Sequence, residues 1–205
     1  MDIDIAHRRR WPDRPISLAS RSWLLATSPG LRLLMMYRIA RWFYLKRKAR
    51  GWRAWLYLAI AIPLTPLKLA IKISSKGDIC RDCEIEDGVC FSDQGYIFFG
   101  SLKTGAGTII GPRVTIGIRH AGRGRPKLGR NVWIGSDCVI YGDINIGNGA
   151  TLLPGTVLTR SIPADVVMQG NPAQLVLRNF DNSELRKHQD MDAIECVNAK
   201  REGRG

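Results

Sequence analysis

Histidine, cysteine and carboxylate are all in short supply in this sequence. Its 205 residues contain three histidines, His7, His120 and His188. The five cysteines are Cys80, Cys83, Cys90, Cys138 and Cys196. Cys80-x-x-Cys83 supplies half of a tetrahedral zinc site, and no second pair or close histidine pair completes it. The expectation is small buried side chains in a reduced compartment, and no metal. An uninterrupted apolar run of membrane-spanning length is also missing. Trp52 to Ile73 is apolar, but Pro63 and Pro66 break it and Lys68 and Lys72 charge its far end, which argues against a spanning helix. No apolar segment directly follows the charged start, so no cleavable leader is expected and the chain is placed in the cytoplasm. Acidic residues number 18 against 31 lysines and arginines, a formal charge of +13. That excess admits a nucleic acid, an anionic membrane or an acidic small molecule as partner. The basic residues crowd the first 55 positions and recur between Arg113 and Arg130. No zinc finger, RNP-like signature or basic zipper accompanies them, so nucleic acid is not expected.

What the chain does have is a repeat. Leu128, Ile134, Ile140, Ile146, Leu152 and Leu158 recur every six residues. Ile73, Ile79, Ile85, Phe91 and Ile97 keep the same spacing, and Ile110 and Ile116 form a further pair. A period of six fits neither an amphipathic helix nor an alternating strand. It fits a solenoid in which each six-residue unit makes one flat side and three sides close a triangular coil. The aliphatic residue points inward, and small or turn-forming residues such as Asn148-Gly149 and Pro154-Gly155 take the corners. The phase breaks between Ile97 and Ile110, and again between Ile116 and Leu128. Both breaks are expected to be loops, where function collects. The fold expected is mainly β: a hexapeptide solenoid with an N-terminal α-helical segment and a short C-terminal helical tail. The divisions are a basic helical segment at 1–72, the solenoid at 73–175 and a polar tail at 176–205.

Two stretches resemble the bacterial hexapeptide-repeat acyltransferases. Pro126-Lys-Leu-Gly-Arg-Asn-Val-Trp-Ile-Gly135 looks like that family's P-x-I-G-D-N-V-W-I-G. Leu152-Leu-Pro-Gly-Thr-Val-Leu-Thr-Arg-Ser-Ile-Pro163, followed by Gly170-Asn-Pro-Ala173, is similar to its closing signature. Ser28 to Trp42 resembles the helical lead-in of serine acetyltransferases and related exopolysaccharide acetyltransferases. The resemblance implies a left-handed parallel β-helix, a homotrimer with sites at the subunit interfaces, and acetyl-CoA in a groove between neighbouring β-helices. A γ-type carbonic anhydrase shares that helix but needs three zinc histidines, and the solenoid here holds one.

Acyl transfer to a hydroxyl needs a base for the proton and a donor for the oxyanion. His120 lies in the second break, where the resemblance places a catalytic histidine, and imidazole titrates near neutral pH. His120 is therefore the expected base. Asp93 and Arg119 are the candidates for holding the acceptor. Lys127 and Arg160 are candidates for the phosphates of coenzyme A, and Gly135 and Gly155 for a close approach of its pantetheine arm. True serine acetyltransferases resemble D-H-A-T-G where this chain reads Phe91-Ser-Asp-Gln-Gly95, and R-H-P-K-I-G where it reads Gly124-Arg-Pro-Lys-Leu-Gly129. Those departures favour a sugar hydroxyl of a polysaccharide as acceptor. Serine is the alternative, and a β-helical scaffold or binding module without activity is the non-enzymatic one. Trp23 to Arg50 reads as a basic amphipathic helix, with Leu31, Leu34, Met35, Arg38, Ile39 and Trp42 at helical spacing. It is expected to cap the first coil, with peripheral contact at the inner face of the cytoplasmic membrane as a second role.

Overall fold

The computed structural model describes residues 17–48, 77–117 and 124–187. Two helices come first, α1 (Leu18–Thr27) and α2 (Pro29–Lys48). Ser17 opens α1 with a reciprocal cap. Its hydroxyl accepts from the Ser20 N–H at 3.1 Å, and its own N–H donates to the Ser20 hydroxyl at 3.0 Å. A single helix from Trp23 to Arg50 was the expectation. The structure ends the first helix before Pro29, because proline lacks the N–H that would continue it and disfavours helical backbone in the residue before it. Pro29 instead occupies the first position of the next helix, where a missing N–H costs nothing.

Fifteen short strands follow among the described residues. They wind through three flat sides in rotation, so strands three apart in sequence become neighbours. The first side stacks β1 (Gly77–Ile79), β4 (Ile97–Phe99), β7 (Thr115–Ile116), β10 (Val139–Ile140) and β13 (Val157–Leu158). The second stacks β2 (Glu84–Ile85), β5 (Lys103–Thr104), β8 (Lys127–Leu128) and β11 (Asn145–Ile146). The third stacks β3 (Cys90–Phe91), β6 (Ile109–Ile110), β9 (Trp133–Ile134), β12 (Thr151–Leu152) and β14 (Val166–Gln169), and β15 (Gln174–Arg178) closes it antiparallel to β14. All other pairings are parallel, giving a solenoid of about five coils. Register sets Leu128 beside Ile146, Ile134 beside Leu152 and Ile140 beside Leu158, each one eighteen-residue coil apart. These residues are buried and stack up the axis as one continuous core.

The first break in the six-residue phase is not a loop. Phe99 pairs with both Ile79 and Ile116, and Thr104 pairs with Ile85 and Leu128. Thr104 occupies an inward position, which hides the repeat from a search for aliphatic residues. Its hydroxyl is fully buried and lies 2.7 Å from that of Ser101, so the pair satisfies itself inside the core. The second break is an insertion. Ile116 still pairs with Ile140 and Thr104 with Leu128, so the coils stack undisturbed on either side of residues 118–123. Ile73 and the apolar stretch after Trp52 lie outside the described residues.

Helix α2 lies across the open end of the first coil. Leu31, Leu33, Leu34 and Tyr37 are buried. Arg38 donates to the carbonyls of Ile85 at 2.9 Å and Glu86 at 3.1 Å, and Arg41 and the Tyr37 hydroxyl both donate to the Cys83 carbonyl. Edge carbonyls of β2 and its flanks are thereby satisfied, which a solenoid end requires. At the other end the chain is less polar than expected. Strand β15 crosses the boundary anticipated after residue 175. Phe180 and Leu185, the latter in the short helix α3 (Ser183–Lys187), are buried with Ile109, Trp133, Leu153 and Val167. That second apolar cluster covers the outer face of the third side. Cys83 and Cys138 are fully buried, and burial pushes both thiols up to about 12, so they remain protonated core side chains.

Candidate active site

The corners of the solenoid position the described candidates other than Lys127, which lies in β8. Between the third and first sides, successive coils contribute Gly95, Arg113, Asp137 and Gly155, all with positive φ. Backbone bonds stitch this corner together: Asp137 N–H to the Pro112 carbonyl at 3.0 Å, and Gly155 N–H to the Ser136 carbonyl at 2.8 Å. An apolar cleft runs beside it, lined by Ser92, Gly111, Trp133, Gly135, Ser136 and Pro154. Gly135 and Gly155, expected to admit the pantetheine arm, thus meet at one corner. They differ physically. A Cβ on Gly135 would stand 2.8 Å from the Pro154 nitrogen, whereas a Cβ on Gly155 would meet nothing within 4 Å. Gly135 is therefore required by coil stacking as well as lining the cleft, and Gly155 leaves open surface beside it. Ser92 and Ser136 supply the cleft's hydroxyls. Neither was a sequence candidate, because an isolated serine carries no periodic signal.

Asp93 belongs to the same corner. Its carboxylate accepts from the Gly30 N–H at 3.1 Å, in the first turn of α2, where helix N–H groups lack intrahelical partners. Farther along, the Arg113 guanidinium grips the Asp137 carboxylate with two bonds of 2.6 Å. That pair holds the Asp137 carboxyl below the usual carboxylate range.

His120 and Arg119 fall within residues 118–123 and lie outside the described residues. The feet of that insertion, Gly117 and Gly124, stand at the corner between the first and second sides. Tyr141, Gly142 and Asp143 form the same corner one coil on. A Cβ on Gly124 would lie 2.8 Å from an Asp143 carboxylate oxygen, so a carboxylate missed by sequence reasoning sits at the foot of the loop. Only its stacking beneath Gly124, invisible in the linear sequence, singles it out. Arg160 occupies this corner in the last coil and donates to the Ala173 carbonyl at 3.1 Å, holding the Gly170–Ala173 turn. Lys127 stands exposed on the second side, in register with Lys103 and Asn145. Arg125 donates to the Asp82 carbonyl at 3.4 Å. The candidates thus fall into two groups on different corners: Asp93, Gly135 and Gly155 on one, and Arg160 with the insertion on the other, Lys127 lying just past it.

Comparison with known proteins sharpens this picture. Residues 125–160 match the family described as bacterial transferase hexapeptide (six repeats). The serine acetyltransferase of Synechococcus elongatus is 25% identical over 182 residues, covering 84% of this chain and 67% of that protein. A solved serine acetyltransferase in complex with CoA superposes with a TM-score of 0.64 at 25% identity, over 85% of this chain and 66% of the other. The serine acetyltransferase of Neisseria gonorrhoeae shares the fold, with a TM-score of 0.65 at 22% identity, over 88% of this chain and 65% of its own. This chain therefore spans about two thirds of the length of these relatives. With its six-residue repeat, its three stacked sides and these likenesses, the chain carries the hexapeptide repeat of the bacterial transferases over residues 125–160 and shares the parallel β-helical fold of the acetyltransferases it resembles.

Proposed function

We propose that this protein is an acetyl-CoA-dependent O-acetyltransferase, and that serine is its acceptor. The observation that carries the reading is the extent of the likeness to serine acetyltransferases. It covers 84% of the chain in one and 85% in the CoA complex, far beyond the 36 residues of the repeat match. In this reading His120 takes the proton from the attacking hydroxyl and returns it to the leaving thiolate. Gly155 and the adjoining cleft take the pantetheine arm, with Lys127 and Arg160 toward the coenzyme's phosphates and Arg119 toward the acceptor. A shallow apolar cleft rimmed by glycine suits a thin, unbranched chain.

The reading includes a homotrimer. The two groups of candidates lie on different corners of each coil, so one subunit's corner with its insertion is suited to complete the cleft of a neighbour. It also includes a cytoplasmic protein with its basic N-terminal segment against the inner face of the membrane.

A second acceptor class, a sugar hydroxyl of a polysaccharide, is favoured by one specific observation. Phe91-Ser-Asp-Gln-Gly95 offers no histidine, and Asp93 there is engaged by the Gly30 N–H. Release of coenzyme A from acetyl-CoA separates the two, measured with serine, nucleotide-linked sugars and surface oligosaccharides. Serine-dependent release that His120→Ala abolishes, in a protein that keeps its oligomeric state, supports the main reading. Release driven by a sugar alone replaces serine with that acceptor. Failure of the wild type to bind acetyl-CoA favours a scaffold without activity. With His120 as base, kcat/KM falls as falling pH protonates the imidazole.

A further inference from the structure

The net positive charge of this protein arises from one segment. Thirteen lysines and arginines, and no carboxylate, stand between Arg14 and Gly77. The rest of the chain carries 18 basic and 18 acidic residues, so the whole net charge of +13 resides in that segment. Helix α2 lies inside it. One face of α2 packs on the first coil through Leu33, Leu34 and Tyr37. Ile39, Trp42 and Leu45, at i, i+3 and i+6, share another face and are 50%, 49% and 53% exposed. A helix already anchored on one side has no packing need for a second apolar ridge, and such a ridge marks an interaction surface.

We propose that α2 docks the protein on an anionic phospholipid surface, with Ile39, Trp42 and Leu45 entering the headgroup layer and the segment's net positive charge attracting it to the lipid phosphates. The inference rests on the peripheral position proposed above and names the lipid and the residues. An indole belongs at headgroup depth, where its ring is apolar and its N–H is hydrated. None of the described helices is long and apolar enough to cross a membrane, and an apolar ridge on one face of α2 suits a surface contact. A second copy of the chain is the weaker occupant. A two-fold contact would press two carboxylate-free segments of the same sign together. Nucleic acid would satisfy the charge but not Ile39 and Leu45. An anionic bilayer satisfies both.

The test uses the full chain without acetyl-CoA, so its outcome is independent of acetyl transfer. Co-sedimentation is measured with vesicles of phosphatidylcholine alone and with about one third phosphatidylglycerol. The expected result is binding at least about tenfold tighter to the anionic vesicles, weakening as salt rises. The triple variant Ile39→Ser, Trp42→Ser, Leu45→Ser loses about tenfold or more of it, with its urea midpoint unchanged because these side chains are half exposed. Trp42→Phe keeps the binding but loses part of the fluorescence quenching by brominated acyl chains, a readout that does not depend on how the triple variant folds. Equal binding to both vesicles, or quenching unchanged in Trp42→Phe, overturns the proposal. So does loss of self-association in the triple variant, or a shift of duplex DNA by the wild type, when neither protein binds vesicles.

Discussion

The Asp93 carboxylate and the Gly30 backbone N–H, 63 residues apart in sequence, form a 3.1 Å hydrogen bond that ties the first turn of α2 to the solenoid corner. The carboxylate supplies a partner to a helix N–H that has none within the helix, and it faces the positive end of the helix dipole. A side chain on Gly30 would run into the Phe91 carbonyl, so the approach is close. Asp93→Ala is expected to lower stability by about 1 kcal/mol, and Asp93→Asn by less, because the amide oxygen still accepts. Urea unfolding followed by circular dichroism measures both.

On the proposed function, the two corner glycines divide between coil stacking and coenzyme approach. Gly135→Ala sets a methyl 2.8 Å from the Pro154 backbone nitrogen of the next coil, which backbone cannot yield without unstacking. Gly155→Ala meets open space but must hold φ near 74°, a strain of about 1–2 kcal/mol. Gly135→Ala should fail to fold or lose much of its stability. Gly155→Ala should fold and raise KM for acetyl-CoA while leaving kcat near wild type.

Inside the coils, the hydroxyls of Ser101 and Thr104 are both fully buried and 2.7 Å apart. Thr104→Val removes one partner and costs about 1–3 kcal/mol. Adding Ser101→Ala removes the stranded group, so the double variant should recover part of that loss. A double-mutant cycle in urea shows the non-additivity directly.

Asn182 fastens the C-terminal hairpin and helix to the solenoid. Its side chain is 3% exposed, and its amide donates to the carbonyls of Asn131 at 2.9 Å and Gly149 at 3.0 Å. Arg186 in turn donates to the Asn182 side-chain oxygen at 2.9 Å. Asn182→Ala deprives two partly buried carbonyls of a donor, and a loss of about 1–2 kcal/mol is expected. Faster amide exchange at Phe180 and Leu185 should accompany it.

Glu86 makes stability depend on acid. The Ala106 N–H, donating at 3.0 Å, holds its carboxyl below the usual carboxylate range, and the charges of Arg130 and Lys103 add to this. A depressed folded value means that the contribution is present above the ordinary carboxylate range and is lost as pH falls through the folded value. Glu86→Gln should lower the urea midpoint near pH 7, where the charged carboxylate contributes, and flatten its fall in that acid window, converging with the wild type below it.

The unbroken run from Leu128 to Leu158 determined a great deal by itself. An inward residue every sixth position can be buried only by stacking flat-sided coils, and Asn148-Gly149 and Pro154-Gly155 mark where those coils turn. The second break in phase likewise marked an insertion, because six extra residues between Ile116 and Leu128 leave both neighbours in register. Tertiary structure decided what periodicity does not encode. Thr104 is inward because Ser101 satisfies it there. The helices divide at Ser28 and Pro29, and Leu33 and Tyr37, rather than Ile39 and Trp42, meet the first coil. Asp93 faces the start of α2, Asp143 sits beneath Gly124, and β15 folds back to cover the third side. Each of these depends on groups brought together from distant parts of the chain. Local sequence sets the repeat because burial acts on every coil alike, whereas a single hydrogen bond or packed face depends on which distant residue arrives opposite it.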